Sequence, residues 1–160
     1  MTVIETIAAR KCRVADKVLD RDLIVDGARI FAAETDFLEI LPPLHSPAFG
    51  AAVMRIIDLP QATVLLAEDD DGLAGGIGLL VVPYLWNPDI LAADELFWWC
   101  RPTAPPRTAL HLLRAARAFA IAASAKVLTF GALSNSPPGV ARAYRCFGMR
   151  PVQTSYLAML

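Results

Sequence analysis

The stretch Glu95–Ala132 reads ELFWWCRPTAPPRTALHLLRAARAFAIAASAKVLTFGA. Its first six residues, Glu95-Leu96-Phe97-Trp98-Trp99-Cys100, are dense in aromatic and bulky apolar side chains and predict a buried strand. The proline-rich loop Pro102 to Pro106 ends that strand. From Arg107 to about Ser124, Leu110, Leu113, Ala116, Ala120 and Ala123 recur at helical spacing with helix-forming alanines between them. Lys126 to Ala132 then predicts another strand. A strand that passes through a long helix into a further strand is a right-handed crossover, so the centre of the sheet should hold a parallel pair. Ligands of open α/β sheets collect at the carboxyl ends of such strands, which directs attention to Cys100–Arg107.

Upstream, Lys11 to Val14 predicts a short first strand, and Asp20 is placed to cap a helix running to about Glu34. Ser46-Pro47 reads as the cap and first residue of a second helix that ends near Asp58. Ala62 to Ala67 is β-rich, and the acidic run Glu68 to Asp71 with Gly72 turns the chain back into a second strand, Leu73 to Tyr84. Leu85 to Asp94 reads as a connection. Downstream, Pro138 to Phe147 predicts a short helix closed by Gly148 in a left-handed cap, and Gln153 to Leu160 a terminal strand. The expectation is one α/β (α+β) domain over residues 1–160, with 1–10 as a candidate N-terminal extension. Its sheet is mixed and mostly antiparallel, with a central parallel pair and about four helices.

The 160 residues are 56% hydrophobic and 19% charged, with mean hydropathy +0.46. Soluble domains hold about 45–50% apolar and about 25% charged residues, so the apolar surplus needs a place to go. Disorder is excluded by it. A membrane span is not the answer, because the longest nearly uncharged run, Gly72 to Pro88, is short, glycine-rich and broken by Pro83. Lys and Arg number 15 against 16 Asp and Glu, a net charge of -1 that gives no footprint for nucleic acid. Cys12, Cys100 and Cys146 fit neither a disulfide frame nor a zinc pattern, and the sequence around His45 and His111 holds no carboxylate or cysteine at ligand spacing, so no metal is expected. A reducing cytoplasm is the simplest location.

The Phe-Trp-Trp strand, the proline-containing loop before Thr108-Ala-Leu-His-Leu-Leu-Arg, and Val140-Ala-Arg-Ala-Tyr-Arg-Cys-Phe-Gly-Met-Arg-Pro together resemble the GNAT superfamily of acyl-CoA-dependent N-acetyltransferases. The last segment resembles that superfamily's A-x-x-x-Y-x-x-x-G helix-to-strand signature, with Val140 in place of the alanine, and the Trp-rich strand resembles its phage-encoded branch. The likeness covers Ala62 to Leu160 well and the first third only in element order.

By this resemblance Tyr144 stands where a tyrosine protonates or hydrogen-bonds the CoA sulfur, although Val140, Ala143, Tyr144 and Phe147 also share the spacing of a packing face. Glu95 stands where several members carry a glutamate that deprotonates the amine, and a strand-end charge beside Asp94 is its plainer reading. Trp99, Cys100 and Arg101 should splay from the next parallel strand and free main-chain groups for the amides of CoA. The pyrophosphate loop departs from the family's Arg/Gln-Gly-x-Gly-x-Gly/Ala pattern. Ala104-Pro105-Pro106-Arg107-Thr108-Ala109 replaces its glycines, and each proline deletes an N–H donor. Arg107, Thr108 and Ala109 still offer first-turn N–H groups, and Arg107 adds a fixed cation. Asn135 resembles the asparagine that contacts the pantetheine arm, two residues further from the tyrosine than usual.

The resemblance implies a transfer of acetyl from acetyl-CoA to a primary amine by direct attack in a ternary complex. The alternative is a GNAT-fold protein that has lost catalysis and serves as a binding or assembly component, phage-related or prophage-related. Tyr84, Asp94 and Tyr156 are further candidates around an acceptor pocket, and Glu34, Asp36 and Glu39 could recognise a cationic amine. Apolar residues from Leu85 to Ala93 and from Tyr156 to Leu160 lie near expected sheet edges, where the partner of a homodimer could cover them.

Overall fold

In the computed structural model, which describes residues 12–35, 41–133 and 136–152, nine elements follow one another. They are β1 (Cys12–Val14), α1 (Arg21–Ala33), α2 (Pro47–Ile57), β2 (Ala62–Asp69), β3 (Gly72–Tyr84), β4 (Asn87–Cys100), α3 (Thr108–Ala122), β5 (Ala125–Thr129) and α4 (Pro138–Cys146). The strands form one sheet in the order β1-β2-β3-β4-β5. Its first three pairings are antiparallel and β4–β5 is parallel, as a crossover through α3 requires. The expected terminal strand Gln153–Leu160 and the extension 1–10 lie outside the described residues.

Strand alternation sorts the core into two layers. Val64 and Leu66 of β2 pack with Ile24 and Ala28 of α1, Met54 and Ile57 of α2, and Phe97 and Trp99 of β4. Leu65 and Ala67 point the other way and pack with Ile77 and Leu79 of β3 and with Leu112, Ala115 and Ala116 of α3. A sheet covered on both faces takes near-continuous apolar strands. The run from Ala62 to Ala67 is buried at every position, which is where much of the apolar surplus goes.

Phe97 and Trp99 lie across glycines. Their partners on β3 are Gly78 and Gly76, and a Cβ at Gly78 would stand 2.8 Å from the Phe97 ring. Trp99 reaches on to α1, where a Cβ at Gly27 would fall 1.9 Å from the indole Nε1. The helix thus seats on the sheet only because residue 27 has no side chain.

Two local readings change and two hold. Ser46 caps α2 as expected, accepting from Phe49 N at 3.3 Å, but Asp20 makes no side-chain cap bond to α1. Its carboxylate instead accepts two bonds from Arg13, at 2.6 and 2.9 Å, and one from Asp16 N. A fixed cation is the stronger partner, and it draws the Asp20 carboxyl below the usual carboxylate range. The supposed connection Leu85–Asp94 is mostly strand, because β3 runs to Tyr84 and turns through Leu85 and Trp86 into β4 at Asn87. Pro88, Asp89 and Asp94 disguise it as loop. Gly148 adopts the expected left-handed conformation, φ 76°.

Gly27→Ala should lower stability by roughly 1–3 kcal/mol, the range for overpacking a filled core. Gly50→Ala on α2 meets only Val25 at an ordinary 3.5 Å, so it should stay within about 1 kcal/mol of the parent. Paired urea denaturation curves check this, and equal midpoints for the parent and Gly27→Ala would contradict the seating argument.

Candidate active site

The parallel pairing of β4 with β5 covers only Leu91 to Asp94 on one side and Ala125 to Thr129 on the other. It ends at Asp94 and Thr129, whose side chains close it with a 2.5 Å bond from the threonine hydroxyl. From Glu95 onward β4 continues for six residues with β3 as its only strand partner among the described residues, so its other edge faces the gap that β5 leaves. The gap begins at Glu95, earlier along β4 than the expected Trp99–Arg101.

A bulge shapes this half of β4. Gly78 pairs with Phe97 and Leu79 with Glu95, which makes Leu96 the extra residue. Leu96 and Phe97 both pack on the α1 layer. Simple alternation would separate Glu95 and Trp98, yet both meet the corner formed by Gly131 and Tyr144. The Gly131 N–H donates to Glu95 Oε2 at 2.8 Å, and the Tyr144 hydroxyl donates to the Gly131 carbonyl at 2.7 Å. The Tyr144 ring packs against Phe130 and Trp98, with centroids 5.4 and 6.3 Å away. Two residues assigned separate roles by resemblance therefore grip one glycine.

Burial pushes the Glu95 carboxyl up to about 7, against the pull of the Gly131 N–H toward ionisation. Such a group can take a proton near neutrality. Burial, with the Glu95 charge second, raises the Tyr144 phenol well above its ordinary value, so its hydroxyl stays protonated. The Cys100 thiol is raised to about 11 by burial, with Cys12 and Glu34 adding to it, and is no nucleophile at neutral pH.

The remaining expected residues divide. The Trp99 side chain is core. Arg101 is tied to the β2–β3 turn by its guanidinium on Asp69, at 2.9 and 3.1 Å, and its N–H donates to Ala74 O. Thr108 is buried and its N–H bonds Pro105 O at 2.9 Å. Arg107 and the N–H of Ala109 remain at the exposed start of α3, where first-turn amides have no helical partner. Asn135, Asp36, Glu39 and Tyr156 lie outside the described residues. Tyr84 sits at the far tip of β3, five residues or about 17 Å along the strand from Leu79, the partner of Glu95. Asp94 is committed to Thr129.

Between α3 and α4 runs a groove of about 730 Å³, with Leu110, Ile121 and Phe147 in its walls and Arg114, Arg117 and Arg142 around it. No motif marks this groove, but its charge is readable in the sequence. All 16 acidic residues lie at or before Glu95, while Arg101, Arg107, Arg114, Arg117, Lys126, Arg142, Arg145 and Arg150 follow it. The near-zero net charge conceals this segregation. Among the described residues no helix is long and apolar enough to cross a membrane, and no three metal-ligating side chains cluster.

The architecture has solved counterparts. The ribosomal-protein-alanine N-acetyltransferase of Brucella melitensis biovar Abortus 2308 superposes with TM-score 0.69 over 93% of this chain and 99% of its own, at 14% identity. The fold is GNAT-like. A predicted acetyltransferase of Clostridium acetobutylicum, solved with acetyl-CoA, gives 0.67 over 93% and 94% at 14% identity. A protein described as a transcriptional regulator of Bacillus halodurans C-125 gives 0.71 over 93% and 98%, also at 14%. No family model and no curated protein matches the chain. At these identities the likeness establishes the fold, and function has to be argued from the site.

Glu95 sets a stability signature. Its carboxyl binds a proton more tightly folded than unfolded, so stability should fall as pH rises from about 4.5 to about 7 and then level off. Glu95→Gln should remove that fall and be the more stable protein at pH 8, with little difference at pH 4. Urea denaturation at both pH values reads this, and parallel profiles would refute it.

Proposed function

We propose that this protein is an acetyl-CoA-dependent N-acetyltransferase that passes the acetyl group directly to a primary amine in a ternary complex. The observation that carries the reading is Glu95, a carboxyl raised to about 7 at the point where β4 leaves β5. In the reaction Glu95 takes a proton from the ammonium form of the acceptor. The freed amine attacks the thioester carbonyl, and main-chain N–H groups on the open edge of β4 receive the developing oxyanion. As the tetrahedral adduct collapses and the C–S bond breaks, its nitrogen gives up its second proton to solvent and the leaving thiolate takes one up. The Tyr144 hydroxyl could supply it only by leaving Gly131, to which it is bonded.

Charge segregation supports the same assignment. The exposed cations Arg107, Arg114, Arg117 and Arg142 suit the phosphates of CoA, with Asn135 proposed for the pantetheine arm. The acidic first part of the chain suits a cationic amine. Trp99 and Cys100 contribute backbone along the β4 edge, and Arg101, whose N–H is given to Ala74 O, has its carbonyl left to offer. Leu85 and Trp86, 79% and 80% exposed at the β3–β4 tip, are the surface we assign to a homodimer contact. Light scattering should give twice the monomer mass, falling to the monomer for Trp86→Ser.

A second reading, a phage-related assembly component without catalysis, draws on one observation. Pro105 and Pro106 remove two donors and the Thr108 N–H is used by Pro105 O, which leaves a poor phosphate cradle. Acetyl-CoA decides between them. At ~100 times its dissociation constant it should stabilise the enzyme by about 2.7 kcal/mol. Arg107→Ala should weaken binding about tenfold, a loss of about 1.4 kcal/mol. Glu95→Gln should cut kcat by about 100-fold or more. No thermal shift at millimolar acetyl-CoA would leave the assembly reading.

A further inference from the structure

Tyr144 is the one buried residue of α4. The helix starts from Pro137 and Pro138 with no side-chain cap bond, so the Tyr144 ring between Phe130 and Trp98 is its principal attachment to the sheet. The attachment ends in a specific bond, from the hydroxyl to the Gly131 carbonyl at 2.7 Å. Gly131 in turn donates its N–H to Glu95 at 2.8 Å. Gly131 follows the last β5 residue, Thr129, by two positions and belongs to no strand ladder among the described residues, where these two side chains are the partners that hold its peptide groups.

We propose that Tyr144 is a positioning residue for Glu95: its hydroxyl fixes Gly131, and Gly131 fixes the carboxylate, so that α4 and the proton acceptor are seated together. The inference rests on the reading of Glu95 as the base, but the coupling is a property of the free protein. The surroundings of Glu95 leave Gly131 as its chief polar influence. On β4 the neighbouring Asp94 is bonded to Thr129, on β3 the partner Leu79 is apolar, and on α4 the charged residues Arg142 and Arg145 are exposed while Tyr144 is neutral. Burial opposes ionisation of Glu95 and the Gly131 N–H favours it. Tyr144→Phe keeps the ring and its packing and deletes the hydroxyl's grip on Gly131, together with its polar contact to Trp98. Glu95 then loses its stabilising donor and holds its proton more tightly.

Nuclear magnetic resonance on the full chain without ligand tests this. The Gly131 amide proton should titrate with a midpoint near the Glu95 value of about 7 and lose that titration in Glu95→Gln. In Tyr144→Phe the midpoint should rise by about one pH unit, a tenfold gain in proton affinity, with a smaller amplitude. A folded Tyr144→Phe that titrates like the parent overturns the inference, as does a Gly131 amide that ignores Glu95. If Tyr144→Phe does not fold, the parent decides. The Tyr144 Cζ resonance should then follow the same midpoint, and a flat Cζ where Gly131 titrates overturns the proposal. An acetyltransferase with an uncoupled pair defeats this inference alone, whereas a coupled pair in a protein that ignores acetyl-CoA defeats only the enzymatic reading.

Discussion

The parallel ladder between β4 and β5 stops after Asp94 and Thr129, and the chemistry proposed for this protein depends on where it stops. Four residues of β4 are enough to fix the direction of β5 through the crossover helix α3. The next six have one strand neighbour among the described residues. A strand edge with unpaired N–H and C=O groups is normally a liability in a folded protein. Here it is lined by a carboxyl, an indole and a tyrosine that face one another across the gap, which gives the edge a use as a ligand site.

Holding half a strand open requires rigidity from the other side, and the glycines of β3 provide it. Gly76 and Gly78 leave room for the Trp99 and Phe97 rings over the sheet, and Gly27 lets α1 come down onto Trp99. The α1 face of β4 is therefore clamped. The bulge at Leu96 then turns Glu95 and Trp98 toward the opposite layer together, a juxtaposition that strict alternation forbids. Packing on one face and chemistry on the other are consequences of one irregularity.

That irregularity marks the limit of what the sequence discloses. The elements were legible because periodicity reports burial: α3 from its leucines and alanines, β2 from its apolar run, α2 from Ser46-Pro47, the α4 terminus from Gly148. The crossover followed from element order alone. What was not legible depends on contacts between distant segments. Nothing near Asp20 reveals that Arg13 will claim its carboxylate, and nothing near Leu85–Asp94 shows that a 13-residue β3 needs a partner that long. Glu95 and Tyr144 were both named, but their convergence on Gly131 needed coordinates, because a bulge in one strand and the exit of another define it. The basic second part of the chain was readable by position, and a single net charge averaged it away.

The degenerate loop also takes on a physical meaning. In a glycine-rich phosphate loop the donors are main-chain N–H groups, short in reach and fixed in direction. This chain substitutes prolines there, and sets exposed arginines on α3 and α4, in a stretch of sequence with no Asp or Glu after Glu95. Guanidinium groups attract phosphate over a longer range, through flexible stems, and screening by salt weakens them more than it weakens buried amides. Under the proposed function the cofactor is then recruited by field more than by fit. The directional contacts are reserved for the reacting end, where Glu95, Gly131 and Tyr144 are locked to one another before any substrate arrives.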